Sequence, residues 1–151
     1  MNNKAVKLYF KKGTTLQILF SDGLTKEYDV LSLANKYSQL NALKDRKLFT
    51  SGKLFGWGGV IWNDELDLDA DVVYEDGKTV PSEEAASEII LGFEIKQLRL
   101  AKQLSQADLS QISGIDQADI SKIENGKLSL TLSTIKKFAR ALNTSINVLI
   151  L

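Results

Sequence analysis

The sequence predicts two domains of different class. The first is α+β, a small antiparallel sheet with one short helix, and the second is an all-α bundle of five helices. Three observations predict this. Composition breaks near Pro81, the single proline: ten of the twelve aromatic residues and seven of the ten glycines precede it. Before the break, short β-rich runs alternate with glycine turns. After it, apolar residues recur at helical spacing, with serine or aspartate ahead of several of the runs. Domains over 1–80 and 81–151 follow, with the boundary near 77–82. There Tyr74-Glu75-Asp76-Gly77-Lys78 reads as a turn and Pro81-Ser82-Glu83-Glu84 as a helix start, Ser82 capping the free amides.

In the first domain, Ala5 to Phe10 and Thr14 to Phe20 are strands joined through Lys11-Lys12-Gly13. Ser21-Asp22-Gly23 turns the chain into Leu24 to Val30, with Leu24, Tyr28 and Val30 on one face. Apolar residues at 31, 33, 34, 37, 40 and 43 predict a short helix over Leu31 to Leu43. Strand character returns from Leu48 to Trp62 around Gly56-Trp57-Gly58-Gly59, a hairpin turn. Asp67 to Tyr74 reads either as a last strand or as a helical turn.

In the second domain, Leu91, Ile95 and Leu98 mark the inner face of a first helix ending near Lys102. Ser105 caps a second, and Asp108 stands where a reciprocal capping partner belongs. Leu109 and Ile112 form its buried face and Gly114 ends it in a left-handed conformation. Asp116 caps a third helix with Ile120 and Ile123 inward, closed by Asn125-Gly126. Leu132, Ile135, Phe138, Ala139 and Leu142 stripe a fourth. Ser145 starts a short fifth, whose Val148 and Leu149 point to the core while Ile150 and Leu151 are candidates for a dimer seam.

Several function classes drop out on composition. Cysteine and histidine are absent, which removes disulfides, thiol nucleophiles, imidazole acid–base chemistry and ordinary structural zinc sites. No spacing of carboxylates and lysines assembles a nucleophile, a base and an oxyanion site, so no enzyme and no cofactor is expected. Apolar runs are too short for a transmembrane helix, and MNNKAVKLYFKKG lacks a secretory pattern, so a cytoplasmic protein without membrane contact is expected. Nineteen basic residues balance nineteen acidic ones, and overall charge selects no partner.

The stretch from Leu104 to Gly126 carries the function. Two short helices around a glycine-containing turn cross as a helix-turn-helix, with Ile115 filling the gap between them. Gln117, Ala118, Ser121, Lys122 and Asn125 then face outward, a polar face with small residues that fits a major groove. LGFEIKQLRLAKQLSQADLSQISGIDQADISKIENGK and TIKKFARALNTSINVL resemble the Cro and phage lambda repressor family of helix-turn-helix domains, the xenobiotic-response-element type, over residues 91–149. The resemblance implies a double-stranded DNA operator as partner and a homodimer on two half-sites about 34 Å apart. It assigns Gln106 to a phosphate, where it also braces the next helix. It assigns Gln117, Ala118, Ser121 and Lys122 to base edges, and Asn125 with Lys127 to the backbone.

Two acids depart from the pattern. Asp116 and Asp119 sit at the groove end of the third helix, where they face phosphates; Asp116 is expected as a helix cap, and Asp119 either on the shoulder of the helix or as an acceptor from cytosine. From Glu94 onward eight basic residues stand against five acids, a net of only plus three, so a single module binds DNA weakly.

Residues 5–75 resemble a small bacterial domain family without an assigned function, through Leu16-Gln17-Ile18-Leu19-Phe20, Ser21-Asp22-Gly23, Tyr28-Asp29-Val30, Val60-Ile61-Trp62 and Leu66 to Asp71. Such domains accompany helix-turn-helix domains and toxin–antitoxin-like gene pairs, which implies a toxin-like protein partner. Asp67, Asp69 and Asp71 alternate as in a calcium loop, but Val72 replaces the required glycine and Lys78 the bidentate glutamate, so an acidic edge plus a helix cap is expected and no metal. Trp62 is expected in the core and Trp57 exposed. The whole chain reads as an autoregulating, antitoxin-like repressor. The alternative is a protein-binding inhibitor or adaptor whose bundle serves dimerisation or docking.

Overall fold

The computed structural model describes residues 3–55, 58–82 and 86–150. The chain forms two compact units, Met1–Glu83 and Glu84–Leu151.

Unit 1 begins with strands β1 (Ala5–Phe10), β2 (Thr15–Phe20) and β3 (Thr25–Asp29), a meander in which β1 and β3 each pair antiparallel with β2. Helix α1 (Arg46–Thr50) leads into β4 (Lys53–Phe55), β5 (Gly59–Asn63) and β6 (Leu66–Asp69), a second antiparallel sheet in that order. Helix α2 (Ala70–Asp76) and strand β7 (Lys78–Val80) follow, and β7 returns to pair with β3. Leu16, Ile18 and Phe20 from β2 meet Val60, Leu66, Leu68, Phe49 and Val73 in one core. Alternation drives this: on β6, Leu66 and Leu68 are buried and Asp67 and Asp69 exposed. The Phe49 ring stands edge-on to Phe10 and stacks on Trp62, whose indole N–H donates to the Phe49 carbonyl at 2.7 Å.

The expected helix over Leu31 to Leu43 is replaced by two 3₁₀ segments, Val30–Leu33 and Ser38–Lys44. The reason is in the spacing. Leu31, Ala34, Tyr37, Leu40 and Leu43 recur every three residues, the period of a 3₁₀ turn, so Leu40 and Leu43 fall on one buried face. Strand character also starts later than expected. Asp45 accepts from the Leu48 amide at 2.9 Å and caps α1, whose Arg46 guanidinium donates to the Lys11 and Gly13 carbonyls. Asp67 to Tyr74 divides between both expected forms, because Asp69 ends β6 by capping α2 through the Asp71 amide at 2.9 Å. Leu24, expected inward, is 40% exposed while Thr25 is buried, since the strand starts only after Gly23 has turned the chain at φ +90°. The segment after Gly77 is a strand, and the Ser82 hydroxyl donates to the Gly23 carbonyl. Trp62 is half-buried against the core. Trp57, Glu83 and Glu84 lie outside the described residues.

Unit 2 consists, among the described residues, of α3 (Ala86–Ala101), α4 (Gln106–Ser113), α5 (Gln117–Glu124), α6 (Leu132–Ala141) and α7 (Ile146–Ile150). The expected caps are present. Ser105 and Asp108 form a reciprocal capping box, Gly114 ends α4 at φ +72°, and Asp116 accepts from the Ala118 amide. Ile95, Leu109, Ile115, Ile120, Ile123, Phe138, Leu142 and Leu149 build the core. Three expected core residues lie outside it: Ile112, Leu132 and Val148 are each more than half exposed. Ile115 from the turn packs into the core with Leu109, while Ile112 stays on the outside of α4. Leu132 is the first residue of α6, one turn short of the core-facing row that starts at Ile135. In α7, Ile146 and Leu149 share the inner face three residues apart, which turns Val148 away. Ile150's side chain and Leu151 are outside the described residues.

Candidate nucleic-acid interface

Helices α4 and α5 are joined by a turn that its own polar groups hold. The Gly114 amide donates to the Ser110 carbonyl, the Ser110 hydroxyl donates to the Ile115 carbonyl at 2.6 Å, and the Ile115 amide donates to the Ser113 hydroxyl oxygen. Ile115 is 9% exposed and wedges the two helices apart. With Ile120 and Ile123 buried, the opposite face of α5 is turned to solvent.

On that face Gln117, Ala118 and Lys122 are exposed and Ser121 is half-buried. Asn125 is exposed, and its side-chain amide donates to the Ser121 carbonyl at 2.7 Å, closing the last turn of α5. The Lys127 amide reaches back to the Lys122 carbonyl at 2.8 Å with Gly126 at φ +66°, so Lys127 leaves the helix from a defined cap. Asp119 is half-buried on the shoulder and sits 3.8 Å from the Lys122 ammonium. Both side chains are about half exposed, so water screens this pair. Asp116 is exposed and occupied as the cap.

Gln106 stands apart from this face. It is half-buried at the start of α4, and its side-chain amide donates to the Glu124 carboxylate at 2.9 Å. This is the brace to the next helix, and it is part of a larger network that sequence reasoning missed. Arg99 of α3 grips Glu124 of α5 with two parallel hydrogen bonds, Nε to Oε1 at 2.7 Å and Nη2 to Oε2 at 3.0 Å. Its remaining arm donates to the Leu104 carbonyl at 2.7 Å, just ahead of α4. Both side chains are nearly inaccessible, at 8% and 1% exposure. The Glu124 hydrogen bond raises the Arg99 pKa above the usual arginine value, against the opposing effect of burial. One ion pair therefore ties α3, the start of α4 and the end of α5 together. Arg99 and Glu124, one of the eight basic and one of the five acidic residues from Glu94 onward, are committed to each other. A signal was present: each lies four residues from a core isoleucine, Ile95 and Ile120, at a position on an apolar stripe.

Backbone contact completes the placement of α5. A side chain at Gly92 of α3 would run into the Ile123 carbonyl, so the two helices cross at contact distance only because residue 92 has none.

The helix-turn-helix family matches residues 95–149. Over 78 residues the chain is 33% identical to the control protein C.SmaI of Serratia marcescens, a stretch covering 52% of this chain and 81% of that protein. Among solved structures, the restriction-modification controller protein C.AhdI from Aeromonas hydrophila is 36% identical over 39% of this chain and 89% of its own, with a TM-score of 0.39. The hypothetical transcription factor NHTF from Neisseria is 29% identical over 48% of this chain and 87% of its own, with a TM-score of 0.42. With a helical hairpin held at Gly114, an outward polar face on α5 and this identity to a control protein, the chain belongs to the helix-turn-helix family that includes C.SmaI.

Proposed function

We propose that the protein is a sequence-specific DNA-binding transcriptional regulator, a repressor that acts as a homodimer and reads its operator with α5. The observation that carries this reading is the polar face of α5, held by the buried Arg99–Glu124–Gln106 network. A recognition surface needs this rigidity, because base contacts depend on side chains placed to within about 0.5 Å. Gln117 and Lys122 hydrogen-bond adenine and guanine edges, the Ala118 methyl meets a thymine methyl, and Ser121 serves either. Asn125 and Lys127 contact the backbone, and Gln106 a phosphate through the part of its amide not committed to Glu124. Identity to a control protein supports the regulatory role.

The finer reading is an autoregulating, antitoxin-like repressor, cytoplasmic and without enzymatic activity, in which residues 1–80 form the partner-binding domain for a toxin-like protein and 81–151 the DNA-binding domain. Among the described residues no helix is long and apolar enough to cross a membrane. Exposed Ile112, Leu132 and Val148, with Asp116 and Asp119 beside the groove face, favour a second reading. In it the bundle is a docking module of an adaptor, and DNA affinity is absent.

The test is footprinting of DNA upstream of the protein's own gene, with the stoichiometry of the complex measured in parallel. A regulator protects two related half-sites spaced by about one helical turn, with one copy on each. Uniform or no protection, with a partner protein still bound, leaves the adaptor.

A further inference from the structure

Strand β1 lies at the edge of its sheet, hydrogen-bonded to β2 alone. The Lys11 amide donates to the Thr15 carbonyl at 2.9 Å, which makes Lys11 and Thr15 a bonded pair. Bonded pairs alternate along an antiparallel ladder, so Tyr9 and Gln17 form the next one. The amides and carbonyls of Leu8 and Phe10 therefore point away from β2. Among the described residues no hydrogen bond reaches them, and β4, which runs close to β1, pairs only with β5. Unpaired backbone groups persist in a fold where water reaches them, and every residue from Val6 to Lys11 is partly exposed.

We propose that this edge is the docking site for an extended, acidic segment of a partner protein, which joins the sheet as a further strand beside β1. The inference rests on the reading of residues 1–80 as the partner-binding domain, and names the surface that domain uses. Main-chain bonds to Leu8 and Phe10 supply affinity, and alternate side chains of the added strand supply specificity. The sheet's other edge, β7, spans only the three residues Lys78–Val80 and offers too short a ladder.

Charge selects the occupant. Lys4, Lys7, Lys11 and Lys12 fall in or beside β1, and no acid precedes Asp22 in the sequence. Lys4, Lys7 and Lys12 take part in no ion pair among the described residues. Lys7 and Tyr9 project from one face of the sheet, and Leu8 and Phe10 from the other, against the core. The fitting segment thus carries aspartate or glutamate on the Lys7 face and apolar residues beside Leu8 and Phe10. A second copy of β1 does not fit, because pairing two such strands sets lysine-rich segments against each other.

The experiment combines amide hydrogen exchange with peptide titration of the full chain. The probes are a short peptide alternating valine and glutamate, its valine–lysine counterpart, and the acidic peptide with a central proline. In the free chain the Tyr9 amide is expected to exchange slowly, and the Leu8 and Phe10 amides fast. Saturating acidic peptide is expected to slow exchange at Leu8 and Phe10 by at least about tenfold. It is expected to bind at least about tenfold tighter than the lysine peptide, and less tightly as salt rises. The double variant Lys4→Glu, Lys7→Glu, with circular dichroism confirming its fold, is expected to lose about tenfold in affinity. Leu8 and Phe10 amides already protected in the free chain, an unchanged affinity in the double variant, or equal binding of the proline peptide overturns the proposal. So does the absence of saturable binding up to about 1 mM, which leaves the lysines only the task of blocking self-pairing. A partner protein that binds the full chain while Leu8 and Phe10 keep exchanging freely also overturns it, and leaves the partner-binding reading of residues 1–80 standing.

Discussion

Replacing Glu124 by alanine tests whether one buried ion pair organises the helical unit. The change strips Arg99 of both carboxylate bonds, at 2.7 and 3.0 Å, and leaves the Gln106 amide without its acceptor. Arg99 is 8% exposed at its side chain, so water cannot replace what is lost, and the guanidinium keeps only the Leu104 carbonyl. Breaking a buried pair from one side costs about 3–5 kcal/mol. With a denaturant slope of about 1–1.5 kcal/mol/M in urea, the midpoint falls by about 2–5 M. Far-UV circular dichroism at 222 nm is the appropriate signal, because both tryptophans belong to unit 1 and report nothing of this site. The paired variant Arg99→Met, Glu124→Leu removes both charges and keeps the volume, and is expected to recover most of the loss. A single-variant loss below about 1 kcal/mol, or a paired variant no more stable than Glu124→Ala, would refute the role given to this pair.

Other outcomes follow from backbone and caps. Gly92→Ala sets a methyl against the Ile123 carbonyl and must push α3 and α5 apart; a loss of at least about 2 kcal/mol in urea unfolding is expected, and a stabilising effect of alanine in a helix would contradict the close crossing. Gln103 sits at φ +57° just past α3, so Gln103→Gly relieves a left-handed conformation and is expected to add about 0.5–1 kcal/mol; thermal unfolding decides it. The Ser105 amide and hydroxyl hold the Asp108 pKa below its usual value. A depressed folded-state pKa stabilises above the ordinary carboxylate range and is lost as pH falls through the folded value. The stability of unit 2 should therefore decline on acidification below about pH 4, and Asp108→Asn should remove part of that decline.

The helical unit was legible because its signals are local. Ser105 with Asp108, Gly114, Asp116 and Gly126 each mark a helix end within three or four residues, and each sits where its chemistry predicts. The α+β class and the first three strands were legible for the same reason. What failed depended on distance in sequence. Strand β7 is three residues long and exists because β3 offers a free edge some fifty residues earlier. Arg99 and Glu124 are 25 residues apart, and the apolar stripe on which each lies signals burial without naming the partner. The 3₁₀ segments are a different case. The three-residue spacing from Leu31 to Leu43 was in view, but it lies close enough to 3.6 to be read as a helix. At the candidate interface, the sequence placed Gln117, Ala118 and Lys122 on the outer face of α5, and it placed Gln106 as a brace. It did not show that Asn125 spends its side-chain amide on its own helix, or that Lys122 lies near Asp119.

The central claim, that the outer face of α5 reads DNA, is tested most directly by the ratio of operator to scrambled-DNA affinity at fixed salt. Wild type is compared with Gln117→Ala and Lys122→Ala, neither of which touches the core. The account predicts that each substitution lowers the ratio by about 1–3 kcal/mol, roughly 5- to 150-fold. An unchanged ratio in both variants, with operator preference intact, would place recognition elsewhere on the protein.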